Sequence, residues 1–143
     1  MTIAAILAGK GSGVVSIAPD APMAAAVGML AERRIGAVPV VADGQVLGVF
    51  SERDVIRCLH AADGAAALAR PVRDAMTAPA VTVTPDDSVI GALSLMTRRR
   101  IRHLPVVAGG ALVGIVSIGD LVKHRIDRIE ADAAAMRAYI QQA

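Results

Sequence analysis

At 143 residues the chain has room for one domain or for two small halves packed together, and a formal net charge of +2 is too small to demand nucleic acid as a partner. Hydrophobic residues make up 55% of the chain and aromatics 1%, so the core has to be aliphatic, as in buried strands covered by helices. Asp20, Glu32 and Asp43 interrupt the apolar stretches well short of the roughly 20 residues a membrane span needs, and a lone Cys58 excludes an intramolecular disulfide.

The N-terminal run Ile3–Leu7 has no basic residues before it, unlike a secretory leader. With reduced Cys58 this leads us to expect a cytoplasmic protein with no membrane association. Gly9-Lys10-Gly11-Ser12-Gly13 hints at a phosphate loop, but a Walker A motif needs glycine where Ala4 stands and Ser or Thr where Gly11 stands. A helix end followed by a turn is the better reading.

From Val15 onward the chain repeats itself. Ile35, Pro39, Val40, Val41, Gly44, Gly48, Ser51 and Asp54 recur 66 residues later as Ile101, Pro105, Val106, Val107, Gly110, Gly114, Ser117 and Asp120, and Pro19-Asp20 recurs as Pro85-Asp86. Each copy begins with a short β-branched run, Val14–Ile17 or Val81–Val83, followed by a Pro-Asp helix start with Asp20 or Asp86/Asp87 near the N-cap. Val27, Leu30, Ala31 and Ile35, or Val89, Leu93, Met96 and Ile101, carry the helical apolar spacing. Two strands follow, Val38–Val41 and Val46–Phe50 in the first copy, Leu104–Val107 and Leu112–Val116 in the second, each pair joined by a turn at Asp43-Gly44 or Gly109-Gly110. A second helix starts at Ser51 or Ser117. The fold class is therefore α+β, with the order β-α-β-β-α twice.

This divides the chain into a first repeat with its N-terminal segment (1–60), an alanine-rich linker (61–70), read as a loop or broken helix, and a second repeat (71–143). The last helix outruns its counterpart. Val122, Ile126, Ile129, Ala133, Met136 and Ile140 recur at alternating spacings of four and three, flanked by Lys123, Arg125, Arg128, Glu130 and Asp132. That stripe either packs on its own repeat or forms a homodimer contact.

Gly48-Val49-Phe50-Ser51-Glu52-Arg53-Asp54 and Gly114-Ile115-Val116-Ser117-Ile118-Gly119-Asp120, each preceded by a Pro-Val-Val strand, together with Val72-Arg73-Asp74-Ala75-Met76-Thr77, resemble a pair of CBS domains over nearly the whole chain. The resemblance implies one pseudo-twofold module of two three-stranded sheets, often a dimer, with two related clefts that take AMP, ADP, ATP, NAD(H) or S-adenosylmethionine. It implies a regulatory module with no obligatory cofactor, an adenine nucleotide as ligand and an unidentified regulated protein as partner.

By the same resemblance one cleft combines Ser51, Arg53 and Asp54 with Met76, Val81, Arg102, His103 and Leu104. The other combines Ser117 and Asp120 with Lys10, Val15, Ala37 and Val38. Ser-x-x-acid at a helix start is also a capping box; as a ligand group the Asp carboxylate would accept both ribose hydroxyls, and the helix N-terminus would favour phosphate. The position aligned with Arg53 in the second copy is Gly119, so the first cleft is expected to prefer more phosphate, and small Gly36 and Ala37 to leave room where the other copy has Arg102 and His103. The Arg98–His103 basic cluster lacks the aromatics of a single-strand nucleic-acid platform. His60, His103, His124 and Cys58 are scattered and assemble neither a catalytic nor a metal site, so no enzymatic activity is expected. A protein–protein scaffold with idle clefts is the alternative reading.

Overall fold

The structure is a computed structural model describing residues 1–11 and 13–142. Ser12, from the glycine-rich turn weighed as a phosphate loop, and Ala143, the end of the second repeat's range, lie outside the described residues. The chain runs α1 (Ile3–Lys10), α2 (Met23–Arg33), β1 (Ala37–Ala42), β2 (Gln45–Ser51), α3 (Glu52–Ala61), α4 (Gly64–Ala69), a 3₁₀ turn (Val72–Asp74), α5 (Val89–Arg99), β3 (His103–Ala108), β4 (Ala111–Ser117) and α6 (Ile118–Gln142).

The duplication survives into backbone detail. β1–β2 and β3–β4 are antiparallel hairpins with a register shift at Val40/Val41 and again at Val106/Val107. Both turns hold two successive residues at positive φ, Asp43 and Gly44, then Gly109 and Gly110, the conformation that a right-twisted two-residue hairpin requires. Helices α2 and α5 both end on a left-handed arginine, Arg34 and Arg100.

The expected third strand of each sheet shrinks to a single parallel bridge, Ile17 to Val40 and Val83 to Val106. Ile17 N–H donates to Pro39 O, and Val41 N–H donates to Ile17 O. The next rung on one side would need an N–H from Pro19, and on the other an N–H from Pro39; proline has neither. Pro85 and Pro105 block the second copy in the same way. The helices after these segments also start later than the sequence suggested. Their N-caps are Pro22 and Ser88, and Asp87 instead accepts the Thr84 N–H within the preceding turn.

The alanine-rich linker is the helix α4, which lies against α2 and α3. Two aliphatic cores result, and each borrows from outside its own repeat. Ile17, Met23, Leu30, Val38, Val40 and Phe50 close around Val72 and Ala75 from the start of the second repeat. Ile3 and Ile6 of α1 travel the other way, into the core of Val83, Met96, Leu104, Val116 and Leu121.

That crossing explains the motif glycines. A Cβ on Gly48 would lie 2.6 Å from the carbonyl oxygen of Thr77, whose backbone bridges to Val49; one on Gly114 would lie 2.6 Å from Leu7 Cδ2 of α1. Both glycines stand where the borrowed segment passes over the hairpin. Helix α6 keeps only its first turns on the body: Leu121 is buried and His124 half-buried, and every described residue beyond is exposed. The apolar stripe therefore does not pack on its own repeat. No helix among the described residues is long and apolar enough to cross a membrane.

Candidate functional site

Two clefts open between the repeats, at the ends of β2 and β4 where α3 and α6 begin. The first, about 230 Å³, takes Ser51, Arg53 and Asp54 from one repeat and Val81, Arg102 and His103 from the other. The second, about 460 Å³, gathers Lys10, Val15, Ala37, Ser117 and Asp120. Three expected residues stand apart. Leu104 and Val38 are fully buried in the two cores, and Met76 packs against the first core while its neighbour Thr77 lines the cleft. Strand alternation accounts for Leu104 and Val38: their neighbours His103 and Ala37 point the opposite way, into the clefts.

The two carboxylates are held differently. Asp54 is 1% exposed, and its Oδ2 accepts the Ser51 N–H at 2.9 Å and the Ser51 hydroxyl at 3.2 Å. Its Oδ1 accepts the Thr77 hydroxyl at 3.0 Å and an ion pair from Arg57. All four lone-pair directions of that carboxylate are spent inside the protein. Asp120 forms a complete capping box with Ser117, the Ser117 N–H donating to its Oδ2 at 2.9 Å and its own N–H to the Ser117 hydroxyl at 3.1 Å. Lys10 Nζ donates to the same Oδ2 at 2.6 Å and to Ile115 O at 2.9 Å. Among the described residues Asp120 Oδ1 has no partner. Burial of this carboxyl alone would raise its pKa, but the Lys10 and Ser117 hydrogen bonds outweigh it and hold Asp120 below the ordinary 3.8.

Both linings favour anions. Arg53, Arg57, Arg100 and Arg102 outnumber Glu52 and Asp54 in the first cleft, and Lys10, Arg33 and Arg34 outnumber Asp120 in the second. The charge asymmetry expected from Arg53 aligning with Gly119 is thus offset, since Lys10, Arg33 and Arg34 supply the second cleft. Arg53 itself reaches across the module, donating to Arg100 O at 2.8 Å. Sequence reasoning missed Thr77, Arg33, Arg34 and Arg100 as lining residues. The repeat offset could have raised Arg33 and Arg34 together with Arg99 and Arg100; a helix-end role explained them too readily.

Gly36, Ala37 and His103 line both clefts and form their common wall. The room expected beside Gly36 is filled by the imidazole: a Cβ on Gly36 would sit 3.0 Å from His103 Cε1. Burial first, and the neighbouring Arg102 cation second, push the His103 pKa below 6.5 against the opposing pull of Glu52.

Twin hairpin-helix repeats, crossed segments and two clefts at the interface define a tandem-repeat architecture. The CBS domain family model matches residues 11–61 and 72–127, and the chain belongs to the CBS-domain family. It is 36% identical over 121 residues to the CBS domain-containing protein CBSX3, mitochondrial, of Arabidopsis thaliana, covering 81% of this chain and 58% of that protein. It therefore spans little more than half the length of that relative. The crystal structure of the CBS-domain protein ATU1752 from Agrobacterium tumefaciens is 42% identical, with a TM-score of 0.81 over 87% of this chain and 92% of that one. The CBS domain pair of protein MJ0100, solved with 5′-methylthioadenosine and S-adenosyl-L-methionine, matches at TM-score 0.74 over 90% of this chain and 98% of that one. At 20% identity that likeness shows the fold alone.

Proposed function

We propose that this chain is a regulatory module that binds an adenosine-containing nucleotide (AMP, ADP, ATP or NAD(H)) between its repeats. The observation that carries the reading is the first cleft: a helix N-terminus with Arg53 beside it in one repeat, facing Arg102, His103 and the apolar Val81 of the other. The cations and the helix dipole suit phosphate, and the Ala37–Val81 side offers an apolar slot for a base. Asp120, with a free carboxylate oxygen, is the better ribose acceptor of the two motif acids. MJ0100, which shares the fold, binds adenosine derivatives, and this supports the ligand class.

A ligand held by both repeats favours whichever relative arrangement it fits better, and shifts the population by its differential affinity. Because Gly36, Ala37 and His103 wall both clefts, a ligand that moves the imidazole in one cleft alters the other. The exposed stripe of α6 favours a second reading, a protein–protein scaffold, and the same experiment separates the two. Nucleotide-stripped protein is titrated calorimetrically with AMP, ATP, NADH and S-adenosylmethionine, alongside Arg53→Ala and Asp120→Ala. Sub-millimolar binding, weakened at least about tenfold in one variant (about 1.4 kcal/mol), supports the sensor reading. Silence across the panel from protein that melts cooperatively sinks it in favour of the scaffold.

A further inference from the structure

Asp54 and Asp120 occupy the same position of the repeat, yet a ligand meets different chemistry at each. In the second cleft Lys10 covers only Oδ2 of Asp120, and Oδ1 remains as an acceptor for a sugar hydroxyl. In the first cleft the carboxylate is closed off: Asp54 is 1% exposed, and Ser51, Thr77 and Arg57 take its oxygens. What lies open there is Arg57, whose side chain is 61% exposed and lines the cleft. The first cleft thus presents a cation where the second presents a carboxylate oxygen.

This guanidinium is held in place. Its Nη2 donates to Asp54 Oδ1 and, at 3.2 Å, to Ala75 O, which uses both hydrogens of that nitrogen. Among the described residues the N–H groups on Nη1 and Nε have no partner, and they keep the planar geometry that matches phosphate oxygens. Anchors on α3 and at the start of the second repeat leave little further ordering to be done when an anion arrives. The counterpart of Arg57 in the second repeat is Lys123, which pairs with Asp127 further along α6 and is not part of the second cleft's lining.

The cluster also stands at the right place for a sugar. Arg53 at the start of α3 suits the 5′-phosphate, and the Ala37–Val81 side suits the base. Asp54 follows Arg53 directly, and Thr77 lies four residues before Val81, so the Asp54–Thr77–Arg57 cluster adjoins both and meets the ribose that links them. In dinucleotide sites an acid accepts a free ribose 2′-hydroxyl, whereas an arginine receives a 2′-phosphate. The first cleft has the acid but spends it on holding the arginine.

We infer that the first cleft selects nucleotides carrying a second phosphate on the ribose, at the 2′ or 3′ position, and that Arg57 is the residue that reads it. The inference rests on the nucleotide reading above and narrows it to one ligand class. A bare ribose finds no acceptor at Asp54 and leaves Arg57 to water. A ribose phosphate finds a charge-assisted donor already in position.

Isomers keep the total charge constant in the test. Adenosine 2′,5′-bisphosphate, adenosine 3′,5′-bisphosphate and ADP differ only in where the second phosphate sits. Each is titrated calorimetrically into the unmodified chain and into Asp120→Ala, which removes the second cleft's acceptor. In the Asp120→Ala background at least one bisphosphate should bind about tenfold or more tightly than ADP (about 1.4 kcal/mol), and the tighter of the two locates the phosphate. Adding Arg57→Gln, which keeps an N–H donor for Asp54 but no charge, should bring that ratio to within about twofold of one. Arg57→Lys, which keeps the charge without the planar fork, should fall between the two, and it carries the comparison if Arg57→Gln does not melt cooperatively. Arg53→Gln should weaken bisphosphate and ADP alike and leave the ratio standing. A ratio near one before Arg57 is changed, or a preference undiminished in the Arg57 variants, overturns the inference while nucleotide binding stands. Silence toward all three from the unmodified chain removes the nucleotide reading and this inference with it.

Discussion

Replacing each motif aspartate by alanine should separate two jobs that look the same in the sequence. Asp54→Ala removes a helix cap, about 1 kcal/mol, and charge-assisted hydrogen bonds from Thr77 and Arg57 to a fully buried acceptor, about 1.5–3 kcal/mol more. Arg57 is exposed, so water takes over its guanidinium, and the net loss settles at about 2–4 kcal/mol. Asp120→Ala removes a comparable cap, but Asp120 and Lys10 are both partly open to solvent, which leaves about 1 kcal/mol. For a chain of this size about 3–5 °C of Tm accompanies each kcal/mol, so Asp54→Ala should melt about 10 °C below the parent and Asp120→Ala about 4 °C below. Urea titrations followed by circular dichroism give the free energies, and calorimetric scans the Tm. If both variants lose the same stability, or Asp54→Ala melts within the error of the parent, Asp54 is not the buried strut its four contacts make it.

Other expectations follow from the same contacts. Gly48→Ala pushes a Cβ into the Thr77 backbone and should cost about 2 kcal/mol or more, whereas Gly114→Ala meets only the rotatable tip of Leu7 and should cost under about 1 kcal/mol; urea midpoints decide it. Arg34→Gly relieves a left-handed non-glycine residue, and so should raise stability by about 1 kcal/mol while weakening phosphate-bearing ligands in the second cleft, a gain in Tm beside a loss in titration. His103 has its pKa lowered in the fold, so as pH falls below 6.5 the unfolded chain takes up a proton that the native state refuses. Stability should therefore decline on acidification through that window, and His103→Gln should flatten the decline in a pH series of melts.

The sequence was most readable where local chemistry decides. Hairpin turns at Asp43-Gly44 and Gly109-Gly110, the helix starts at Ser51 and Ser117, and the duplication itself are encoded within a few residues of where they act. It was least readable where the partner lies far along the chain. Nothing near Asp54 announces that Thr77 will take up its carboxylate, and nothing near Gly36 announces that His103 will occupy the gap. The edge strands at Ile17 and Val83 had the right residue types, and the prolines that stop them were visible, but only the parallel pairing shows which N–H each rung lacks. Met76, Leu104 and Val38 were named through the family resemblance; Leu104 and Val38 stand one strand step from the lining His103 and Ala37, a step that turns a side chain from cleft to core.

The exchange of Val72 and Ala75 for Ile3 and Ile6 has a consequence for how the chain can be divided. Neither half owns a closed interior. A fragment ending in the alanine-rich helix would present Val38, Val40 and Phe50 with their covering residues gone, and its complement would lack the helix that lies over Gly114. The halves are related like two clasped hands, each finished by fingers of the other, so the smallest unit that can melt, refold or be transplanted as a cooperative whole is the pair.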